Sequence, residues 1–160
     1  MRIAIGSDHR GFKLKQGVAD LLAELGHTYE DMGCYDSNSV DYPDVAAKVA
    51  ESVASGQYEA GILVCGTGIG MSIAANKVPG IRAALVRDTH MARMAREHND
   101  ANVLCLGGDL VSEAEAREIV KAYLDATFEG GRHSRRVNKI SQLEKSRGQN
   151  ASQPSKAGKV

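Results

Sequence analysis

Tryptophan is absent from this chain and phenylalanine occurs only twice. Nucleic-acid grooves that hold single strands stack bases on aromatic rings, and few rings are on offer here. Long apolar runs are missing too. The longest, Ala60 to Cys65, is six residues even with Gly61 counted, against about 20 for a bilayer-spanning helix. Cysteine occurs three times, with no paired framework; such a set fits a reducing compartment, so a cytoplasmic location is expected. The opening Met-Arg-Ile-Ala-Ile-Gly runs straight into a strand-like segment and shows no secretory leader. Net charge is zero as well, but unevenly so. Residues 132–160 carry eight Lys/Arg against Glu144 alone, a net +7 that leaves −7 on residues 1–131. A basic end on an acidic body suits nucleic acid, an anionic small ligand or a solubilising tail, and the lack of aromatics makes nucleic acid the weakest of these.

What is present is the make-up of one globular domain: 160 residues, 42% hydrophobic and 25% charged. Short apolar runs alternate with helical periodicity. Arg2–Ser7 reads as a strand, and Phe12, Leu14, Val18, Leu21, Leu22 and Leu25 recur at helical spacing before Gly26. His27–Met32 reads as a second strand. A turn-rich stretch, 33–42, leads to Pro43, which opens a helix to about Ala54. Ala60–Cys65 is the continuous run of a strand buried on both faces. A glycine loop and a helix to about Asn76 follow it. Gly80–Val86 is a fourth strand, Asp88 caps a helix to about Glu97, Asn102–Leu106 is a fifth strand, and Ser112 opens a capping box and a helix to about Ala126. This order predicts an α/β fold with a parallel sheet covered on both faces. Arg132–Glu144 forms a basic helical segment, and composition places the domain at 1–146 with a disordered tail over 147–160.

Cys65-Gly-Thr-Gly-Ile-Gly70 carries the chemistry. In a parallel sheet, ligands bind at the carboxyl ends of strands, and small residues there let backbone N–H groups of Gly66, Gly68, Ile69 and Gly70 approach a ligand oxygen. The plain alternative is a tight strand-to-helix turn. Neither the dinucleotide fingerprint nor the Gly-Lys-Ser/Thr of a nucleotide loop is present. Cys65 faces that helix start, a location that favours thiolate; Cys34 and Cys105 read as core cysteines. No ligand spacing links the cysteines to the histidines, so no metal is expected. Asp8 and His9 close the first strand at the same edge, as sugar or phosphate ligands or as a helix cap. His98 and Asn99 end a helix, where a histidine also serves as simple capping. Arg132 and Arg136 stand four apart and share a helix face, suiting a phosphate or solvent equally.

Taken together, Gly6-x-Asp8-His9-x-Gly11, Asp41-Tyr-Pro43, CGTGIGMSIAANK (65–77), Gly80-Ile-Arg82, His98-Asn-Asp-x-Asn-Val103 and EGGRHxxRV (129–137) resemble the ribose-5-phosphate isomerase B family, which includes the galactose-6-phosphate isomerase subunits. The resemblance covers residues 1 to about 146. It implies a three-layer Rossmann-like sandwich on a five-stranded parallel sheet, and an enzyme interconverting aldose and ketose phosphates without cofactor or metal. It also implies roles. His98 opens the sugar ring, Cys65 takes the C2 proton to give a cis-enediolate, and Thr67 relays protons between oxygens. Asp8 and Asn99 hold sugar oxygens, and His9, Arg132 and Arg136 hold the phosphate. Some relatives place a glutamate just after the glycine loop, where this chain has Met71, which leaves Cys65 as the base. The family shares its site across a two-fold interface, so a homodimer or a dimer of dimers is expected, with a phosphosugar as partner and neither nucleic acid nor membrane.

One departure bears on substrate. Many relatives carry an arginine after the fifth strand in a Gly-x-Arg pattern; here the run is Gly107-Gly-Asp109. Such a carboxylate repels phosphate unless it turns away or pairs with an arginine such as Arg135. Isomerases of tetrulose 4-phosphates or hexose 6-phosphates therefore stand beside the pentose reading, and a catalytically silent phosphosugar-binding module stands behind both.

Overall fold

The computed structural model describes residues 1–151, with side chains to residue 146. Its strands are β1 (Arg2–Ser7), β2 (Thr28–Asp31), β3 (Ala60–Cys65), β4 (Ala83–Leu85) and β5 (Val103–Gly107). They form one parallel sheet in the order β2-β1-β3-β5-β4. The uninterrupted apolar run Ala60–Cys65 becomes the central strand and is buried at every position. Period-two alternation then sorts its side chains. Ile62 and Val64 face one layer, packed on α1 (Phe12–Glu24), α4 (Thr89–Asn99) and α5 (Glu113–Asp125). Leu63 and Cys65 face the other, packed on α2 (Tyr42–Ala54) and α3 (Ile69–Ala75). Fully buried side chains such as Ile62 and Leu104 each contribute about 1.5–3 kcal/mol of transfer free energy. The three-layer α/β arrangement expected from the sequence is the one observed.

Local signals set most boundaries. Asp88 Oδ1 accepts from Met91 N at 2.8 Å, and Ser112 and Glu115 complete a reciprocal capping box. Gly26, at φ +75°, ends α1 in the left-handed conformation that a terminating glycine takes freely. The fourth strand is shorter than Gly80–Val86. Ala83 N donates to Asn76 Oδ1 and Arg82 N to Asn102 Oδ1, so side-chain amides, not a ladder, satisfy the start of this edge strand. The basic segment forms α6 (Arg132–Ala151), which runs past residue 146, the boundary composition suggested. Residues 152–160 of the expected tail lie outside the described residues. Among the described residues, no helix is long and apolar enough to cross a membrane.

Candidate active site

The order in which strands are added reverses between β1 and β3: β2 lies on one side of that pair, β5 and β4 on the other. Such a switch point leaves a crevice at the carboxyl ends of the strands, where ligands of open α/β sheets bind. Two loops meet there. Asp8 N donates to Val64 O at 3.1 Å, tying the end of β1 to β3. The loop after β5 closes over both: Gly108 N donates to Cys65 O (2.7 Å) and Asp109 N to Gly66 O (3.0 Å).

Cys65 is 5% exposed, and its Sγ accepts a hydrogen bond from Gly68 N at 3.1 Å. Gly68 makes that contact from φ +78°, and a Cβ there would lie 2.9 Å from Leu106 C; both conformation and space require glycine. Thr67 is exposed beside the thiol, with Oγ1 accepting from Ile69 N at 3.4 Å. Gly70 lies under the ring of Tyr42, 2.7 Å from where its Cβ would stand. Cys34 and Cys105 are buried, and burial followed by the neighbouring Cys65 pushes the Cys105 thiol far up. That confirms Cys105 as a core group.

Asp8 is 6% exposed, and its Oδ1 accepts from Arg10 N (3.0 Å) and Gly11 N (2.9 Å). One oxygen therefore serves the turn, leaving Oδ2 for a ligand. His9 Nδ1 accepts from Val40 N at 3.4 Å, which puts the ring proton on Nε2 as a donor. Arg10 reaches across to Asp109 and pairs with its Oδ2. Of the two ways the sequence left for Asp109, turning away or pairing with an arginine such as Arg135, it pairs, and the arginine is Arg10 from the turn after β1.

His98, Asn99, Arg132 and Arg136 stand elsewhere. The helix α4 runs antiparallel to the strands, so its end lies at the amino edge of the sheet. The length of β3, about 17 Å for six residues, separates that edge from Cys65. At the far edge His98 stacks on His133, with ring centroids 4.1 Å apart and planes 7° from parallel. Glu129 Oε2 lies 3.4 Å from His133 Nε2 and 3.9 Å from His98 Nε2. Burial first, then the neighbouring His98 and Arg132, hold the His133 pKa below its ordinary value. Ligand atoms of His98, Glu129 and His133 all lie within 4.8 Å of one another. Arg132 Nε, however, donates to His133 Nε2 at 3.4 Å and brings a positive charge beside the trio, which opposes a cation there. Arg132 and Arg136 are exposed on the first turns of α6, with no acidic residue in its first turn. Cations there oppose the helix dipole and concentrate positive potential for an anion.

One chain thus brings together Asp8, His9, Cys65, Gly66, Thr67, Gly68, Ile69 and Gly70, and holds the other four apart. Sequence reasoning assigned no role to Arg10 and Tyr42. Only their places, directly after Asp8-His9 and inside Asp41-Tyr-Pro43, pointed to them. A hollow of about 550 Å³ between Glu30, Lys48 and Glu51 lies away from the switch point and gathers none of these groups.

Loops meeting at the switch point of a doubly wound sheet, with a thiol held on a glycine turn, define an α/β enzyme acting on a small molecule. The family follows from comparison. Residues 3–140 match the model of the Ribose/Galactose Isomerase family. Ribose-5-phosphate isomerase B of Escherichia coli strain K12 is 47% identical over 146 residues, covering 91% of this chain and 98% of that protein. D-erythrulose-4-phosphate isomerase of Pectobacterium atrosepticum is 45% identical, covering 90% and 95%. The structure of Clostridium thermocellum ribose-5-phosphate isomerase B is 54% identical, with a TM-score of 0.91 over 92% of this chain and 99% of that one. The chain belongs to the Ribose/Galactose Isomerase family, and it is an isomerase.

Proposed function

We propose that the chain interconverts ribose 5-phosphate and ribulose 5-phosphate through a cis-enediolate. The observation that carries this reading is the Cys65 sulfur at the switch point, held by Gly68 N at 3.1 Å, in a fold shared with ribose-5-phosphate isomerase B at 54% identity. His98 delivers a proton to the ring oxygen as the C1–O bond breaks and the anomeric hydroxyl proton passes to solvent, which opens the furanose to the aldehyde. The Cys65 thiolate takes the C2 proton, Thr67 passes the O2 proton to O1, and the Cys65 thiol returns its proton to C1. Backbone N–H groups of Gly66, Gly68, Ile69 and Gly70 offset the charge that develops on the enediolate. Asp8 Oδ2 and Asn99 hold sugar hydroxyls; His9, Arg132 and Arg136 take the phosphate.

A two-fold homodimer supplies His98, Asn99, Arg132 and Arg136 from a second copy, since the chain's own set lies at the opposite edge. The flank of the glycine loop supports this. Thr67, Ile69, Leu85, Met91, Gly107 and Leu110 line a mostly apolar hollow of about 230 Å³, and Ile69, Met91 and Leu110 are exposed there. Exposed apolar side chains beside a polar site fit a self-complementary interface.

A tetrulose 4-phosphate is the second reading, favoured by Asp109 and by the 45% identity to D-erythrulose-4-phosphate isomerase. The deciding experiment compares turnover of ribose 5-phosphate and erythrulose 4-phosphate by the wild type and Cys65→Ala, with EDTA present and solvent deuterium entry followed by NMR. Expected are pentose turnover with deuterium entering at the exchanging carbon, indifference to EDTA, and a loss of about a thousandfold in Cys65→Ala. Activity retained in that variant would end the thiolate mechanism; preference for the tetrulose phosphate would transfer the function to the second reading.

A further inference from the structure

Arg10 has a place that fold stability does not explain. Its backbone N–H is fixed by Asp8 Oδ1 at 3.0 Å, but its side chain is 60% exposed and leaves the turn to meet Asp109, itself 40% exposed. An ion pair this open adds little to stability. Its position is more informative. A Cβ on Gly66 would lie 2.9 Å from Arg10 Nε, 3.0 Å from Arg10 Cζ and 2.8 Å from Asp109 Oδ2. The pair therefore lies flat against the residue that follows Cys65, in space that glycine leaves free. Both ends are anchored to the site: Arg10 follows His9 directly, and Asp109 N donates to Gly66 O at 3.0 Å.

A guanidinium carries five N–H donors in a rigid fork. Asp109 is the only protein acceptor for the Arg10 side chain among the described residues, through Nη2. The carboxylate thus engages Nη2 and leaves the fork's other donors without a protein acceptor among the described residues. It also removes the difficulty Asp109 poses for an anionic substrate, because its charge is matched on the spot.

Resting on the isomerase reading above, we propose that Arg10 binds the phosphate dianion of the substrate alongside His9, with Asp109 as the positioning residue that holds its guanidinium. The test measures KM and kcat for ribose 5-phosphate and erythrulose 4-phosphate, and calorimetric Kd for inorganic phosphate. The proteins are the wild type, Arg10→Ala, Arg10→Lys, Asp109→Asn and the Arg10→Ala/Asp109→Asn double variant. In Arg10→Ala, KM and the phosphate Kd rise about tenfold while kcat holds. Arg10→Lys recovers part of the loss, since the charge returns without the fork. Asp109→Asn weakens phosphate severalfold, and the double variant is no worse than Arg10→Ala, because Asp109 acts through Arg10. Unchanged KM and phosphate Kd in Arg10→Ala would overturn the assignment, and tighter phosphate binding in Asp109→Asn would overturn the positioning role. A wild type inert on both sugars would remove the pentose and tetrulose readings instead, while the phosphate Kd still decides whether Arg10 binds the anion.

Discussion

A single glycine shows how closely backbone and chemistry are joined in this site. Gly68 sits at φ +78° and gives its N–H to the Cys65 sulfur. In Gly68→Ala, the added Cβ meets Leu106 C at 2.9 Å, on a central strand that has no room to shift. The N–H should be driven from the sulfur, and turnover should fall about a hundredfold, with a modest loss of stability from the left-handed backbone. Assay and thermal melt of that variant check both; normal turnover would show that the N–H is dispensable. His133 supports a different test. Its pKa is lowered from 6.5, chiefly by burial, so between 6.5 and the folded value the unfolded chain binds more protons. The stability tied to neutral His133 is therefore complete above pH 6.5 and declines as the pH falls below it. Melts of wild type and His133→Gln from about pH 5 to 8 should show a shallower acid decline in the variant. Equal slopes would place the acid-sensitive group elsewhere. Residues of this kind divide by legibility. Cys65 and Gly68 declared themselves by sitting in one short motif, whereas the partnership of Arg10 with Asp109 spans the chain and needed the β5 loop folded back over β3.

Elements were readable where local chemistry alone decides them. Capping at Asp88 and Ser112, the apolar run of β3 and the helical spacing of α1 each carry their own signal. The fourth strand was overestimated because Asn76 and Asn102 supply its hydrogen bonds from outside the strand. Lys15 gave no signal at all. It reads as a polar face of α1, yet it is 1% exposed, donating to both oxygens of Asp31 at 2.6 Å and to Cys34 O. That contact pins the end of β2 and the start of the loop leading to Val40, which braces His9. Lys15→Met should lower stability by about 2–3 kcal/mol, less than for a fully buried pair because Asp31 keeps some solvent. It should also raise KM through a looser His9. Urea denaturation with parallel kinetics would test this, and an unaltered midpoint would mean the pair breaks even with its desolvation.

On the scale of the whole molecule, the fold was legible from the residues themselves, whereas the expectation of a site shared between two copies came from the family resemblance alone. Nothing in the spacing of His98 or Arg132 tells which sheet edge they occupy; only the antiparallel run of α4 does. The proposed two-fold arrangement makes a sharp prediction. Cys65→Ala and His98→Asn should each be inactive alone, because each copy spoils both sites of its own dimer. Mixed and re-equilibrated in equal amounts, they should regain about a quarter of wild-type activity, since half the dimers are mixed and each holds one intact site. A mixture as inert as its parts would remove the shared site. The separation of the two clusters also reaches beyond the chemistry. Under the proposed sharing of each site by two copies, a lone copy should be inactive, and specific activity should depend on concentration. Dilution would switch it off without unfolding anything, and a cell making little of it would gain disproportionately from making slightly more.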